Sequence, residues 1–153
     1  MSTSTYAYSP RQIVLTLGSF GIDGGFGQDT FLEIEKEEDD TVDVVGVYGD
    51  VAVAAVHDDR ASAQITLLQT SVENDKLSEL RNAGRRSPAG LAVFSFDVRD
   101  LNGRSLHRSP QAWIQGIPTM TYQRGIGERV WTIKLARLET FIGGANVVTG
   151  AGA

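Results

Sequence analysis

The stretch Gln64–Gly84, Q-I-T-L-L-Q-T-S-V-E-N-D-K-L-S-E-L-R-N-A-G, joins a short β-favouring run directly to a helical pattern, and no second helical pattern occurs in the chain. Ile65, Thr66, Leu67 and Leu68 contain no Gly or Pro and suit a strand buried on both faces. Thr70 and Glu73 have capping-box spacing, in which a cap hydroxyl and a carboxylate three residues on satisfy each other's backbone N–H groups. Glu73, Asp75 and Glu79 precede Arg81, in keeping with the helix macrodipole. Gly84 is then expected to end the helix in a left-handed conformation. The pattern predicts a helix over about residues 71–83. Its apolar stripe of Leu77 and Leu80, extended by Val72 and Ala83, is narrow enough to suit a helix lying on a sheet rather than inside a bundle.

Around this segment the signals are β signals. Gln12–Leu17 alternates, and Gly18, Gly21, Gly24, Gly25 and Gly27 mark a connection that Phe20, Ile22 and Phe26 tuck down. Phe31–Glu37 places Leu32 and Ile34 on one face and Glu33, Glu35 and Glu37 on the other. Two valine-rich runs, Thr41–Val47 and Val51–His57, flank Tyr48, Gly49 and Asp50 as a hairpin would. Leu91–Arg99 alternates into a turn at Asp100–Gly103, where Asn and Gly tolerate positive φ. Ser105–Ile114 is interrupted by Pro110, which implies an edge or a bulge. Ile117–Tyr122 and Arg129–Phe141 complete the pattern. The expectation is a mainly β chain: an antiparallel β-sandwich or partly closed barrel of about eight short strands with one flanking α-helix.

At 153 residues the chain is the size of one domain. We expect a single domain over residues 1–153, with a flexible N-terminal segment (about 1–10) and a Gly/Ala-rich C-terminal tail (about 143–153). No run approaches the ~20 apolar residues needed to span a bilayer, and the first ten residues do not read as an export signal, so a soluble chain without membrane insertion is expected. Cysteine is absent, which removes disulfides, thiolate metal sites and cysteine nucleophiles.

The net charge of −5 conceals a separation. Between Glu33 and Asp59 ten acids face the single base Lys36, a balance of −9; between Arg81 and Arg137 ten bases face Asp97, Asp100 and Glu128, a balance of +7. Either the two stretches are solvated faces, or they are complementary surfaces for head-to-tail contact between copies of the chain.

Catalytic patterns find no support. Neither glycine cluster is followed by the helix and Lys-Ser or Lys-Thr of a phosphate loop. Glu37, Glu38, Asp39 and Asp40 lack the alternating ligand spacing of a calcium loop, so no metal or other cofactor is expected. His57 and His107 read as surface histidines, and no G-x-S-x-G elbow accompanies them. Glu33 and Glu35, about 7 Å apart on one strand face, do not face each other across a cleft as a glycosidase pair does. Trp113, Trp131, Tyr122 and Phe94 suit a core or subunit interface better than a base-stacking platform.

The stretch Asp58–Leu80, followed by Phe96, Val98, Asp100 and Gly103, by Ala112, Trp113 and Ile114, and by Tyr122, Gly127 and Arg129–Ile133, resembles tail tube proteins of contractile-tailed bacteriophages. The resemblance runs from about Ile13 to Leu138 and implies no enzymatic activity. It implies homo-hexameric rings stacked head to tail as the inner tube of a tail, enclosed by a sheath and meeting baseplate and tail terminator proteins. Genome DNA would pass transiently and non-specifically through the lumen. The protein would reside in the virion tail after assembly in the bacterial host cytoplasm. On this reading Glu33, Glu35 and Glu37 are lumen-facing candidates, since repelled phosphates can slide. Asp39, Asp40 and Asp43 are ring-contact candidates on one side, and Arg85, Arg86 and Arg108 on the other. A secretion-type tube or baseplate ring is the nearest alternative, and a monomeric ligand-binding β-sandwich a more distant one.

Overall fold

The computed structural model describes residues 3–148, so the outermost parts of both expected terminal segments, residues 1–2 and 149–153, lie outside the described residues. In chain order it forms β1 (Ile13–Leu17), β2 (Phe20–Ile22), β3 (Leu32–Lys36), β4 (Thr41–Val45), β5 (Val51–Ala55), β6 (Ala61–Leu68), α1 (Glu73–Arg86), β7 (Phe94–Asp100), β8 (Leu106–Gly116), β9 (Glu128–Leu135) and β10 (Glu139–Phe141). Eight strands make one sheet in the order β2-β1-β7-β8-β9-β6-β3, with β10 added beside β8; β4 and β5 pair only with each other. Every pairing is antiparallel.

The mainly β, one-helix architecture is the expected one, built as a single curled sheet. β2 and β3 end the path without bonding to each other, so the barrel stays open. Strand twist rolls the sheet, and its inner face closes on one core of Leu15, Leu17, Ile65, Leu67, Phe96, Trp131, Ile133 and Leu135. β6 is half-buried, correcting the expectation of burial on both faces: Ala61, Ala63, Ile65 and Leu67 are buried, while Gln64 is exposed between them. Small and branched side chains share a strand there because the alternate positions face out of the roll.

Two strands depart from the sequence reading by addition and one by subtraction. Gly18, at φ +60, turns β1 into β2 inside the predicted connection. The predicted run Arg129–Phe141 divides into β9 and β10, both antiparallel to β8. Ile117–Tyr122 is no strand but part of an exposed loop with Ile117, Met120, Tyr122 and Ile126 in solvent. Pro110 sits at a bulge, as expected: Phe94 opposes Ala112 but Phe96 opposes Ser109, so β8 carries one extra residue.

The helix starts and stops by other means than predicted. Ser71, not Thr70, supplies the cap-like oxygen, accepting the Glu73 N–H at 3.2 Å. Asn74 donates its side-chain amide to the Leu68 and Ser71 carbonyls and accepts the Trp131 indole N–H at 3.0 Å, tying the first turn to the core. Leu77 is buried and Leu80 half-buried, while Val72 and Ala83 are exposed, so the stripe is narrower still. Gly84 lies inside the helix with ordinary φ; a Cβ there would stand 2.4 Å from the Ala92 nitrogen. Its role is close packing of the returning chain, and Ser87 closes the helix by donating its hydroxyl to the Gly84 carbonyl at 2.7 Å. Gly103 acts similarly: its φ is not positive, and a Cβ would meet the Gly144 carbonyl oxygen at 2.1 Å. Beside it Asn102 clamps Ser9 through two hydrogen bonds, and Tyr6 bridges to Val147.

Register assigns opposite strand ends to the two excursions. Lys36 opposes Ala61 and Leu32 opposes Ile65, so the chain leaves for the β4–β5 hairpin at the end where β6 begins. α1 departs where β6 finishes and returns to the start of β7, at the other end.

Candidate assembly surfaces

The acidic stretch is gathered at the hairpin end, partly neutralised. Glu33 and Glu35 are exposed on the outer face of β3, opposite Gln64 and Ser62. Glu37 pairs with Lys134 of β9. Lys36 pairs with Asp40 and reaches Asp59 at 3.7 Å; the hydrogen bond to Asp40 holds its ammonium pKa above the usual value. Arg60 binds Asp58 through side chain and backbone N–H, which lowers that carboxyl to about 2. Four of the ten acids are thus paired within the chain. Glu33, Glu35, Glu38, Asp39, Asp43 and Asp50 hold no ion pair among the described residues.

The same division runs through the bases. Arg108 is held by Glu139 at 3.0 Å, so this ring-contact candidate already has a partner. Arg129 is buried against the Thr121 and Glu128 carbonyls, under the Tyr122 ring at 5.2 Å. Arg81, Arg85 and Arg86 of α1 hold no ion pair among the described residues. His57 is exposed as expected; His107 instead is half-buried, and desolvation lowers its pKa.

The β4–β5 hairpin contributes no residue to the core. All ten of its strand residues are exposed, including Val42, Val44, Val51 and Val53 at 55–64%. A five-residue loop joins the strands: Gly46 N–H donates to the Asp50 carbonyl, and Gly49, at φ +90, completes the turn. Its tip carries Val47 and Tyr48 at 99% and 97% exposure. An isolated two-stranded hairpin is marginal in water, and solvent-facing valine contributes nothing to this chain's own core.

Two concavities also lie on the surface. One, of about 270 Å³, lies at the helix end, with Leu80, Phe94, Trp113 and Ile114 as its floor and Arg81 and Arg85 at its edge. The other, of about 980 Å³, is the open seam where Leu32 and Ile34 of β3 face Ile13 and Val98, with Asp29, Asp40 and Asp100 around it. Among the described residues no cluster of His, Cys, Asp and Glu fit to hold a metal is found, and no helix is long and apolar enough to cross a membrane. Sequence reasoning missed Arg81 and Tyr48 as members of surface features, while Trp113, assigned to a core or subunit interface, lines the smaller concavity. The available signal for Tyr48 was its place between the two valine-rich runs, Thr41–Val47 and Val51–His57.

Curled antiparallel sheets of this kind also occur in solved chains of contractile injection systems. In fold the chain is similar to the tube-terminating cap of the anti-feeding prophage (TM-score 0.64, 13% identity, 92% of this chain and 95% of that chain). It is also similar to a chain of the PVC sheath–tube complex of an extracellular contractile injection system in its extended state (TM-score 0.61, 14% identity, 92% and 99%). The family model of the bacteriophage PhiTE tail tube protein matches residues 1–143, and the chain belongs to that tail tube family. Structural protein ORF10 of Pseudomonas phage KPP10 is 31% identical over 147 residues, spanning 94% of this chain and 84% of that protein.

Proposed function

We propose that this chain assembles into homo-hexameric rings that stack head to tail as the inner tube of a contractile phage tail, a conduit for genome DNA during ejection. The observation that carries the reading is the β4–β5 hairpin. Its valines are exposed in the single chain, and only assembly would remove them from water. A closed ring would also cover the free edges of β2 and β3. The role is structural and requires neither catalysis nor a cofactor. Sheath, baseplate and tail terminator proteins are its further partners; the tube is assembled in the host cytoplasm and carried in the virion, with no membrane insertion by this chain.

Within the ring, Glu33, Glu35 and Glu37 face the lumen, and Asp39, Asp40, Asp43, Arg85, Arg86 and Arg108 lie at ring contacts. Unpaired Glu33 and Glu35 support the first assignment most directly, since a carboxylate without a cation repels a passing phosphate. Native mass spectrometry and negative-stain microscopy of the purified chain test the assembly: six-fold rings or tubes of uniform diameter are expected, and a monomer persisting at high concentration overturns it. Exchanging Glu33, Glu35 and Glu37 for lysine should leave rings intact and slow DNA ejection. Loss of rings would make these residues interfacial instead.

A further inference from the structure

Resting on that assembly reading, we propose that the hairpin tip, Val47–Asp50, seats in the Arg81/Arg85 groove of a second copy of this chain. Tyr48 enters the groove, and Asp43 and Asp50 approach the guanidinium groups.

Shape, polarity and placement support this docking together. The tip is the most exposed apolar feature at the hairpin end, with Val47 and Tyr48 almost fully solvated. The groove has an apolar floor of Leu80, Phe94, Trp113 and Ile114, and its volume suits one aromatic side chain. An aromatic ring inserted there would lie beside two guanidinium groups, which stack favourably on such rings. Charge is complementary on both sides. Asp43 and Asp50 flank the tip without an intrachain cation, and Arg81 and Arg85 edge the groove without an intrachain carboxylate, among the described residues.

Placement fixes the geometry of the contact. Hairpin and groove belong to opposite strand ends, so one copy's tip meets the next copy's groove and leaves its own groove free for a third. Such a heterologous contact propagates. The larger seam is a poorer host. Its cation Lys36 is already held by Asp40, at the base of the hairpin itself, which leaves Asp29 and Asp100 to oppose an acidic tip.

The absence of cysteine makes the contact directly testable. Tyr48→Cys and Leu91→Cys are made as separate chains, mixed under assembling conditions and oxidised; both positions are solvent-exposed, so neither change threatens the core. An intermolecular disulfide between the two variants is expected, and none between Tyr48→Cys and Ile142→Cys beside the seam. An assembling wild type whose tip variant crosslinks to Ile142→Cys, or to neither partner, overturns the docking and leaves the ring reading standing. A wild type that never assembles overturns both. As a second readout, Arg85→Asp should weaken self-association about tenfold, as expected when like charges are set against each other across an interface. Adding Asp50→Arg to the same chain should recover most of that loss; no recovery counts against the pairing.

Discussion

β6 and the β4–β5 hairpin use one grammar, small and branched apolar side chains at alternating positions, and meet opposite fates. Ala61, Ala63, Ile65 and Leu67 are wholly removed from water, whereas Val51 and Val53 stay 62% and 64% exposed. β6 has neighbours on both sides, β9 and β3, and a facing layer within the roll. The hairpin has only itself. Apolar pattern therefore marks what favours burial without saying by which chain, and in the single chain the hairpin's valines stay in water.

The largest separation between the two regions should come from truncating their side chains. Trp131→Ala, beside β6, removes a buried aromatic and the partner of Asn74, and should cost about 3–5 kcal/mol in chemical denaturation. Val44→Ala with Val53→Ala should change the stability of the isolated chain by no more than about 0.5 kcal/mol, as at other solvent-exposed sites. The same pair should nonetheless impair tube formation. If it unfolds the chain, the hairpin is part of the fold after all.

Glycines sharpen the contrast at intermediate scale. Gly84→Ala drives a Cβ against the backbone of Leu91 and Ala92, and about 1–3 kcal/mol of destabilisation is expected. Gly49→Ala, at positive φ in open space at the hairpin tip, should cost only about 1 kcal/mol, all of it local to the turn. Hydrogen exchange at β6 amides would report the first substitution and ignore the second. Asn74→Ala should fall near the same range, about 1–3 kcal/mol, because the Trp131 indole N–H is left without its acceptor.

The smallest effects are those of pH. Asp58 has its pKa lowered to about 2 from 3.8 by Arg60, so its contribution is complete above about pH 4 and is lost as pH falls through about 2. His107 is shifted below 6.5 by burial. Its protonation opposes folding, so stability present above that value declines as pH falls beneath it. Denaturation midpoints of Asp58→Asn and His107→Gln, followed from neutral to acid pH, should each show a flatter acid limb than the parent. An unchanged limb would show that neither group is linked to folding.

Much of the fold was legible because strand periodicity is local. The alternation in Gln12–Leu17, Leu91–Arg99 and Arg129–Phe141 matches the alternating burial of β1, β7 and β9, and Pro110 announced its bulge. The misreadings fell where long-range contact decides. Gly84 and Gly103 read as backbone-conformation signals but serve close approach of Leu91–Ala92 and of Gly144. Ile117–Tyr122 had apolar residues but no strand to pair with. Of the candidate assembly residues, the sequence brought out Asp43, Arg85 and the glutamates of β3. It could not find Arg81 and Tyr48, whose relevance depends on surfaces made by distant segments.

The amino-acid sequence alone determined a mainly antiparallel β chain, a single helix, the faces of its strands and an uneven distribution of charge, since each follows from neighbours a few residues apart. Only the tertiary structure decided that the sheet rolls without closing, which charges are already paired and that the hairpin and the Arg81/Arg85 groove lie at opposite ends. Those outcomes depend on register between strands far apart in the chain, such as Leu17 with Phe96 and Ala61 with Leu135, and local periodicity carries no information about register between strands.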